Sequence, residues 1–361
     1  MSKPTLIIPA AGKSSRFPGL RPKYLLTAPD GQLMIEKCLE SVDTNLYDRV
    51  VITIVKEHCD KYDADVWLKQ VFANRNDVTI IILDDFTSSQ SETIYQTINK
   101  ANITGPFIIK DSDNGVWVKP EQILINNKLP NTIVGYSLKE HPTITNIPGK
   151  SFIIANEQNI VIDIIEKEVI SDTICLGIYC FESAELFINA YNEIQQNVIL
   201  KSSELYISHI ISWLIANKGT EFICAYAYDY QDWGTITEWK EYQKRFQTYF
   251  IDFDGVLSKN KGQYGKDNWD TPDVLLENNL KTILDLYSNG AQIIITTARP
   301  EKYREKIESA LLQFGIKPYA IICGLNHSRR VLINDFAKSN PYPSAVAINI
   351  PRNSELETYV K

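Results

Sequence analysis

The sequence predicts an α/β protein built from two domains. Runs rich in Ile and Val recur along the chain, and amphipathic helical patterns lie between the earlier ones. Strands that alternate with helices indicate βαβ units and a mostly parallel sheet. The 361 residues also exceed what one hydrophobic core usually organises. We therefore predict a first domain over residues 1–246 and a second over residues 247–361.

Each domain has its own series of elements. In the first, apolar runs predict strands over residues 5–8, 50–55, 78–83, 106–109, 132–136, 151–155 and 174–181. Patterns between them predict helices over residues 34–42, 63–73 and 92–101. A charged helix over residues 238–246 then leads into the second domain without a Gly-rich or Pro-rich linker. There we expect strands over 249–252, 292–296, 320–323, 331–333 and 345–348, and helices over 274–288 and 302–314.

The composition is that of a packed globular protein. Apolar residues make up 44% and charged residues 22%, and the net charge is −7. No basic tract occurs, which argues against nucleic acid or an anionic membrane as a partner. The first apolar run is too short for a signal peptide, and no stretch has the length of a membrane span. We expect a cytoplasmic protein whose six scattered cysteines are reduced core residues.

Residues 9–17 read Pro-Ala-Ala-Gly-Lys-Ser-Ser-Arg-Phe and follow the first predicted strand. A loop of this kind directs backbone N–H groups at anions, and a helix N-terminus adds about half a positive charge. Gly12, Ser14 and Ser15 are small residues or donors, while Arg16 and Lys23 add fixed positive charge. Together they suit a triphosphate, although the spacing is neither that of a Walker A loop nor that of GxGxxG.

The stretch Ala-Ala-Gly-x-x-Ser-Arg-Phe, with Arg-Pro-Lys-Tyr-Leu-Leu after it, resembles the signature of the sugar-phosphate nucleotidyltransferases. That family includes cytidylyltransferases for choline phosphate and polyol phosphates, and the likeness covers about the first 245 residues. It implies a Rossmann-like nucleotidyltransferase domain with a mixed, mostly parallel sheet. Arg16 would contact the β and γ phosphates, and Lys23 would steady the phosphates in the transition state. The implied nucleotide-binding residues of the loop are Ala10, Ala11, Gly12, Ser14 and Ser15.

Two later segments fit the same family in the same order. Residues 88–93 resemble the loop and helix that read the base, which implies contacts by Gln90, Ser91 and Glu92. Residues 165–167 and the strand 176–181 resemble the part that binds the acceptor, which implies contacts by Glu166, Lys167 and Gly177. The alternative for Glu166 and Lys167 is a plain surface ion pair, worth about 0–1 kcal/mol.

Acidic side chains at a strand end indicate a cation site. Asp111 and Asp113 follow the predicted strand 106–109, and alternate residues of an extended chain point to the same side. Carboxylate oxygens are ligands that Mg²⁺ prefers. We favour Asp113 as the ligand and keep Asp111 in reserve, with a solvated loop as the alternative. The family resemblance adds Asp232, from the segment Asp-Trp-Gly-Thr, as a second metal-binding carboxylate.

The second domain opens with two carboxylates two residues apart, Asp252 and Asp254. This spacing lets one carboxylate attack phosphorus while the other moves a proton. The segment Asp-Phe-Asp-Gly-Val-Leu resembles the first motif of the haloacid-dehalogenase-like (HAD-like) phosphatases, which implies Asp252 as nucleophile and Asp254 as acid/base. The later motifs imply that Thr297 and Arg330 bind phosphate and that Asp335 binds Mg²⁺ together with Asp252 and Asp254.

The likeness to the HAD-like phosphatases is incomplete. Asn334 stands where a second Asp is frequent, and Arg329 or Arg330 stands where Lys is usual. The intervals from Asp252 to Thr297 and from Thr297 to Asp335 are too short for a large cap domain. We therefore expect a small, capless HAD-like α/β domain, either an active phosphatase or a degenerate domain retained for docking.

The two motif sets together indicate a bifunctional enzyme that makes a nucleotide-activated sugar or polyol, as in capsule or lipopolysaccharide precursor synthesis. The first domain would transfer a nucleotidyl group from an NTP to a phosphorylated sugar or polyol. The Arg-Pro-Lys-Tyr-Leu-Leu variant favours CTP, as does the Gly loop at residues 9–17, which is shorter than the family's long Gly-x-Gly-Thr-Arg form. The second would hydrolyse a phosphomonoester, and both sites would use Mg²⁺. A non-catalytic nucleotide-binding regulatory protein is the other alternative. The acceptor, the order of the reactions and the presence of a homo-oligomer stay open.

Overall fold

A computed structural model describes residues 3–140, 147–197, 204–262, 269–335 and 344–360. The chain divides into two compact units, Met1–Thr235 and Ile236–Lys361. The helix Ile236–Lys244 therefore belongs to the C-terminal unit, whereas the sequence-based boundary lies after residue 246. Among the described residues, no helix combines the length and the apolar character needed to cross a bilayer.

The N-terminal unit is a mixed sheet with helices between its strands. Its strands are β1 (Thr5–Pro9), β2 (Arg49–Val55), β3 (Val78–Leu83), β4 (Phe107–Lys110), β5 (Asn114–Trp117), β6 (Thr132–Ser137), β7 (Ser151–Ala155), β8 (Val161–Glu166), β9 (Thr173–Phe181), β10 (Ile223–Tyr226) and β11 (Asp229–Asp232). Its helices are Met34–Glu40, Lys56–Tyr62, Ala64–Val71, Gln90–Lys100, Pro120–Ile123, Ala184–Asn197 and Ile207–Lys218, with short 3₁₀ turns at Lys23–Leu25, Thr44–Leu46 and Ile147–Gly149.

The sheet places most strands in one direction. Its order is β10-β6-β9-β4-β1-β2-β3, with β7 and β8 attached beside β9. Among these described strands, β8 and β9 run opposite to the others, so the prediction of a mostly parallel sheet is confirmed. The strands on either side of β1 are parallel to it, so their carboxyl ends meet at one edge. A separate ribbon pairs β11 with β5 antiparallel.

Burial explains why these runs of residues form these strands. The inner strands β1, β2, β4 and β9 are almost wholly buried, as expected for strands covered on both faces. Their side chains join the helices Gln90–Lys100, Ala184–Asn197 and Ile207–Lys218 in one core. All six cysteines are free, and four of them are buried. The predicted strands of this unit all occur, each within one residue of the predicted bounds.

The C-terminal unit is a small three-stranded parallel sheet. Its strands are β12 (Thr248–Asp252), β13 (Gln292–Thr296) and β14 (Ala320–Ile322), paired in that order. Its helices are Ile236–Lys244, Glu277–Ser288, Arg304–Leu312 and Glu357–Val360, with a 3₁₀ turn at Glu301–Tyr303. A compact apolar core centred on Phe253, Ile295 and Leu311 joins the sheet to its helices.

Two strands predicted for this unit, over residues 331–333 and 345–348, are wrong. Neither segment pairs with a described strand, and the apolar side chains of both segments lie in solvent. Ile333 is 90% exposed and Val346 is 77% exposed. Intrinsic β-propensity is weak when no neighbouring strand and no core face are available. The Ile and Val content of both segments therefore did not produce strands.

Buried His58 gives the N-terminal unit an acid-sensitive contact. Its Nδ1 lies 3.1 Å from the Tyr24 hydroxyl, and its ring packs edge-on against Phe86. Burial disfavours the imidazolium and lowers the pKa of His58 to about 4. An unfolded histidine titrates near pH 6.5, so the unfolded state takes up the proton first.

We expect His58 to make folding stability fall as the pH drops from about 6.5 towards 4. Its share of the loss between pH 7.5 and 5 is on the order of 1–2 kcal/mol. Urea unfolding of wild type and His58→Gln at both pH values measures this share, because carboxylate titration affects both proteins alike. Equal pH dependence in the two proteins would contradict the assignment.

Candidate functional site

A cavity of about 590 Å³ opens at the sheet edge where β1 and β4 end. Because β1 and β4 are adjacent and parallel, the loops that follow them emerge side by side. Open α/β sheets bind ligands outside the carboxyl ends of their strands. Predicted site residues on the wall are Ala10, Ala11, Gly12, Ser14, Ser15, Arg16, Lys23, Gln90, Asp111, Asp113, Glu166, Lys167, Gly177 and Asp232.

The loop after β1 is held by its own backbone and by Lys23. Ser14 adopts a left-handed backbone with φ 51°, and its carbonyl accepts from the Phe17 N–H at 2.9 Å. The Ser14 hydroxyl accepts from the Lys23 N–H at 3.1 Å, which fixes Lys23 beside the loop. A Cβ on Gly12 would meet nothing within 4 Å, so the backbone there faces open space. Such a loop can admit a phosphate group close to its main chain.

Two carboxylates and two lysines form the charged centre of the cavity. Lys23 Nζ lies 2.6 Å from Asp113 Oδ2, and Lys150 pairs with Asp232. The pairing of β11 with β5 puts Asp232 opposite Asn114, and Trp233 N–H donates to the Asp113 carbonyl at 2.9 Å. The antiparallel ribbon thus brings together residues more than a hundred positions apart.

Both carboxylates face the backbone of Gly234. A Cβ at Gly234 would lie 3.1 Å from Asp232 Oδ1 and 3.4 Å from Asp113 Oδ2, with an Arg16 nitrogen at 3.8 Å. Burial alone would raise the pKa of Asp113, but the Lys23 ammonium outweighs it and lowers that pKa to about 2. Asp113 is therefore an anion at neutral pH. No group of three or more acidic, His or Cys side chains suited to a metal occurs within the described ranges.

Asp111 lines the same cavity as Asp113 but has different partners. Gln90 Nε2 donates to its Oδ1 at 2.5 Å, and its other oxygen lies against the backbone of Gly177. Burial, with Asp113 close by, raises the pKa of Asp111 to about 6. Asp111 is thus fixed in place by Gln90 and Gly177, while Asp113 faces Gly234.

Two lysines that the sequence analysis did not single out support this centre. Lys110 is fully buried, and its Nζ donates to the carbonyls of Asp111 and Asn114 at 2.8 Å each. It therefore holds the turn that carries Asp113. Lys150 donates to the Tyr230 hydroxyl at 2.8 Å as well as pairing with Asp232. The sequence signal for Lys110 is a charged residue that ends an otherwise apolar strand.

The acceptor-binding residues implied by the resemblance lie at the other side of the cavity. Glu166 accepts from the hydroxyls of Ser151 and Ser208, the latter at 2.9 Å. Lys167 has a left-handed backbone with φ 57°, and its Nζ contacts the Tyr206 hydroxyl. The two charged groups are 3.9 Å apart, and Glu166 is largely buried. Glu166 is therefore a fixed part of the wall, unlike one partner of a solvated surface pair.

Two predicted nucleotide-binding residues, Ser91 and Glu92, are not on the cavity wall. Ser91 is fully buried, and its Oγ has no hydrogen-bond partner among the described residues. Glu92 accepts from the Ser88 N–H at 2.7 Å and from its hydroxyl at 2.6 Å, at the start of the helix Gln90–Lys100. The wall instead carries Ser88, Ser89 and Thr93.

The C-terminal unit has a second cavity of about 590 Å³, at the end of β12. Asp252, Asp254 and Arg330 line it, and Arg330 lies 3.3 Å from Asp252 Oδ1. Burial raises the pKa of Asp252, and Arg330 opposes this effect. Thr297 is buried behind the wall, and its hydroxyl lies 3.4 Å from Asp254 Oδ2. Asp335 is exposed and is not part of the wall.

Arg299 binds the second carboxylate of this unit. Its guanidinium donates to Asp254 Oδ1 at 2.7 Å and to Asp273 Oδ1 at 2.7 Å, and it is only 1% exposed. Its charged group also lies 4.8 Å from the centre of the Phe253 ring. The sequence analysis singled out neither Arg299 nor Asp273. Arg299 therefore forms ion pairs with both Asp254 and Asp273.

No protein-family model and no curated protein matches this sequence. Solved structures do match. A nucleoside-diphosphate-sugar pyrophosphorylase from Vibrio cholerae RC9 aligns with TM-score 0.56 and 22% identity, over 66% of this chain and 99% of its own. An inositol-1-phosphate CTP transferase from T. maritima aligns with TM-score 0.50 and 12% identity, over 67% and 94%. A UDP-glucose pyrophosphorylase complexed with UDP-glucose gives 0.50 and 15%, over 67% and 97%.

These likenesses show the fold. The matched two thirds of the chain correspond in length to the N-terminal unit, Met1–Thr235. At these identities a shared fold does not by itself fix a shared substrate. The chain therefore carries the fold that these pyrophosphorylases and the CTP transferase adopt.

Proposed function

We propose that the chain is a bifunctional enzyme whose N-terminal unit transfers a nucleotidyl group from an NTP to a phosphorylated sugar or polyol. One observation carries this proposal: a single cavity holds the open loop that follows β1 and contains Gly12 (the Gly12 loop), together with two ion pairs. These pairs are Lys23 with Asp113 and Lys150 with Asp232. The fold of the neighbouring structures supports it. Among the bases we favour cytosine, because of the shortened Gly loop and because one of the neighbouring structures is a CTP transferase.

The proposed reaction needs no nucleophile from the protein. A phosphate oxygen of the acceptor attacks the α-phosphorus, the bond from that phosphorus to the bridging oxygen breaks, and pyrophosphate leaves with the electron pair. The Gly12 loop holds the phosphates, and Arg16 and Lys23 offset the charge that develops on them. Asp113 keeps the Lys23 ammonium in place through their 2.6 Å contact.

The residues present fit Mg²⁺. Asp113 and Asp232 are hard oxygen donors that face the same side of Gly234, where the missing side chain leaves room. They would hold the ion, which when bound supplies positive charge at the phosphates. Lys23 forms an ion pair with Asp113, and Lys150 forms one with Asp232. The ion would therefore share these carboxylates with the two lysines.

Pyrophosphate release tests the proposal. The protein is incubated with each of CTP, UTP, GTP, ATP and dTTP and a panel of phosphorylated sugars and polyols, with Mg²⁺ present. We expect pyrophosphate only when an acceptor is present, and most with CTP. Absence of acceptor-dependent pyrophosphate with every triphosphate would overturn the proposal.

For the C-terminal unit we propose phosphomonoester hydrolysis. An Asp252 oxygen attacks phosphorus, the ester P–O bond breaks, and the leaving oxygen takes a proton from Asp254. Water then attacks the phosphorus and gives a proton to Asp254, the bond between phosphorus and the Asp252 oxygen breaks, and inorganic phosphate leaves, which restores both carboxyl groups. Asp254 forms an ion pair with Arg299 at 2.7 Å, so donation of a proton by Asp254 requires that ion pair to loosen. The alternative, a unit without activity, is favoured by the same ion pair and by the position of Asp335 outside the wall.

Asp252→Asn separates the two proposed activities. We expect it to lower phosphate release by at least roughly 10³-fold, because the attacking carboxylate is lost, and to leave pyrophosphate release within twofold. Colorimetric assays of both products measure this, with the exposed Asp285→Asn as the matched control. Wild type that releases no phosphate from any ester would establish the inactive alternative. Loss of both activities in a folded variant would contradict independent sites.

A further inference from the structure

The wall of the C-terminal cavity carries an aromatic pair that phosphate hydrolysis does not require. Trp269 and His327 both line it, and their ring planes are parallel, with centroids 6.3 Å apart. A planar group that stacks on either ring is therefore parallel to the other. Hydrolysis of a small polyol phosphate involves no planar group.

Trp269 is held in position by its neighbours. Lys306 Nζ donates to its carbonyl at 2.7 Å, and its ring packs edge-on against Tyr303, with centroids 5.8 Å apart. The Tyr303 hydroxyl in turn donates to Asp270 Oδ1 at 2.6 Å. The Trp269 ring is thus presented to the cavity by a supported backbone and a packed side chain.

His327 is tied to the end of the sheet that carries the phosphate chemistry. It follows β14 in a loop whose Gly324 and Leu325 N–H groups donate to the carbonyls of Arg299 and Thr297, at 2.7 and 3.1 Å. The same loop continues to Arg330, which contacts Asp252. The aromatic pair and the phosphate end of the cavity therefore belong to one connected structure.

The cavity also carries positive charge at its phosphate end. Arg330 and Arg352 both line it, beside Asp252. Arginine pairs well with phosphate oxygens. Nucleobases stack on Trp and His rings, and this contact does not depend on which base is bound. A volume of about 590 Å³ is within the range of small-molecule sites.

We propose that the C-terminal cavity binds a nucleoside phosphate, with its base on the Trp269 and His327 rings and its terminal phosphate between Arg330, Arg352 and Asp252. This proposal names a substrate class for the proposed phosphatase function. Hydrolysis of the nucleoside phosphate rests on that function, whereas its binding does not. It also gives a place in the reaction sequence. Nucleotidyl transfer to an acceptor that carries a second phosphate supplies such a substrate, because the first phosphate becomes part of the diphosphate and the second stays a monoester. The hydrolysis would then act on a molecule that already carries its base.

The experiment compares CMP with ribose 5-phosphate, which lacks only the base. The full chain is treated with diethyl pyrocarbonate, and modification of His327 is read by mass spectrometry of its peptide. This reports the C-terminal cavity alone, whatever nucleotide binds the N-terminal unit. We expect CMP to protect His327 at concentrations where ribose 5-phosphate does not. Trp269→Leu should weaken the protection by roughly 5- to 100-fold, and Trp269→Phe should retain most of it.

Phosphate release from the same two compounds gives the second readout. We expect Trp269→Leu to raise KM for CMP by a similar factor and so to raise the ratio of the KM for CMP to the KM for ribose 5-phosphate, since only CMP carries a base. If neither compound releases phosphate but CMP still protects His327, the phosphatase function fails and the nucleotide site stands. Equal protection by both compounds, no protection by CMP, or indifference to Trp269→Leu overturns the nucleotide site.

Discussion

Lys23→Ala is expected to lower kcat for pyrophosphate formation by roughly 10²–10³-fold, the effect of removing one group that offsets transition-state charge. The Lys23 ammonium lies 2.6 Å from Asp113, beside the loop that would hold the phosphates, and the Ser14 hydroxyl binds its backbone. The substitution removes the charge without touching the sheet. A pyrophosphate assay at saturating CTP and acceptor measures it.

Lys37→Ala is the control for Lys23→Ala. Lys37 also forms a lysine–carboxylate pair, with Asp30 at 3.0 Å and Glu40 at 2.7 Å, but on an exposed helix surface. Surface pairs of this kind contribute about 0–1 kcal/mol to stability, so the variant should stay folded. Lys37 does not line the cavity, so kcat should stay within twofold. Thermal unfolding of both variants confirms that the protein is folded during the assay. A Lys23→Ala enzyme with wild-type kcat would remove Lys23 from the proposed mechanism.

Gly177→Ala is expected to damage both stability and activity. Gly177 has φ +71°, and an added Cβ would clash with Asp111 Oδ2 in the cavity wall. The new methyl group must displace a carboxylate that Gln90 holds in place. Backbone strain and overpacking together cost roughly 2–5 kcal/mol. We expect a loss of this size in urea unfolding and at least roughly tenfold slower pyrophosphate formation, because Asp111 adjoins the turn that carries Asp113.

Gly219→Ala separates the clash from the backbone strain. Gly219 has φ +63° at the end of the helix Ile207–Lys218, but a Cβ there would meet nothing within 4 Å. It therefore carries the strain alone, about 1 kcal/mol, and should leave pyrophosphate formation unchanged. If the two variants unfold at the same urea concentration, the contact between Gly177 and Asp111 is not as the structure places it.

The sequence predicted the sheet well where burial on both faces leaves a continuous apolar run. Strands β1, β2, β4 and β9 are of this kind, and each was found. The exposed segments 331–333 and 345–348 have similar Ile and Val content and no partner strand among the described residues, so composition alone misled there. Whether a β-branched run is covered depends on the rest of the chain, which local pattern does not contain.

The candidate site was predictable where one loop carries the chemistry. The Gly12 loop, Lys23 and the Asp111–Asp113 turn are each local in sequence, and all of them line the cavity. Lys150 was missed because its partner, Asp232, is 82 residues away and is reached only through the ribbon of β5 and β11. Arg299 was passed over for the same reason, since its role depends on Asp273, which approaches from a separate loop.

Transfer of the α-phosphorus tests the central claim most directly. Purified protein is given CTP labelled at the α-phosphorus or at the γ-phosphorus, Mg²⁺ and the acceptor that yields most pyrophosphate. Nucleotidyl transfer predicts that the α-label moves into the acceptor product and that the γ-label leaves as pyrophosphate, with both movements reduced in Lys23→Ala. An α-label that remains in CMP or CDP, with the γ-label in free phosphate or on the acceptor, would contradict nucleotidyl transfer at this cavity.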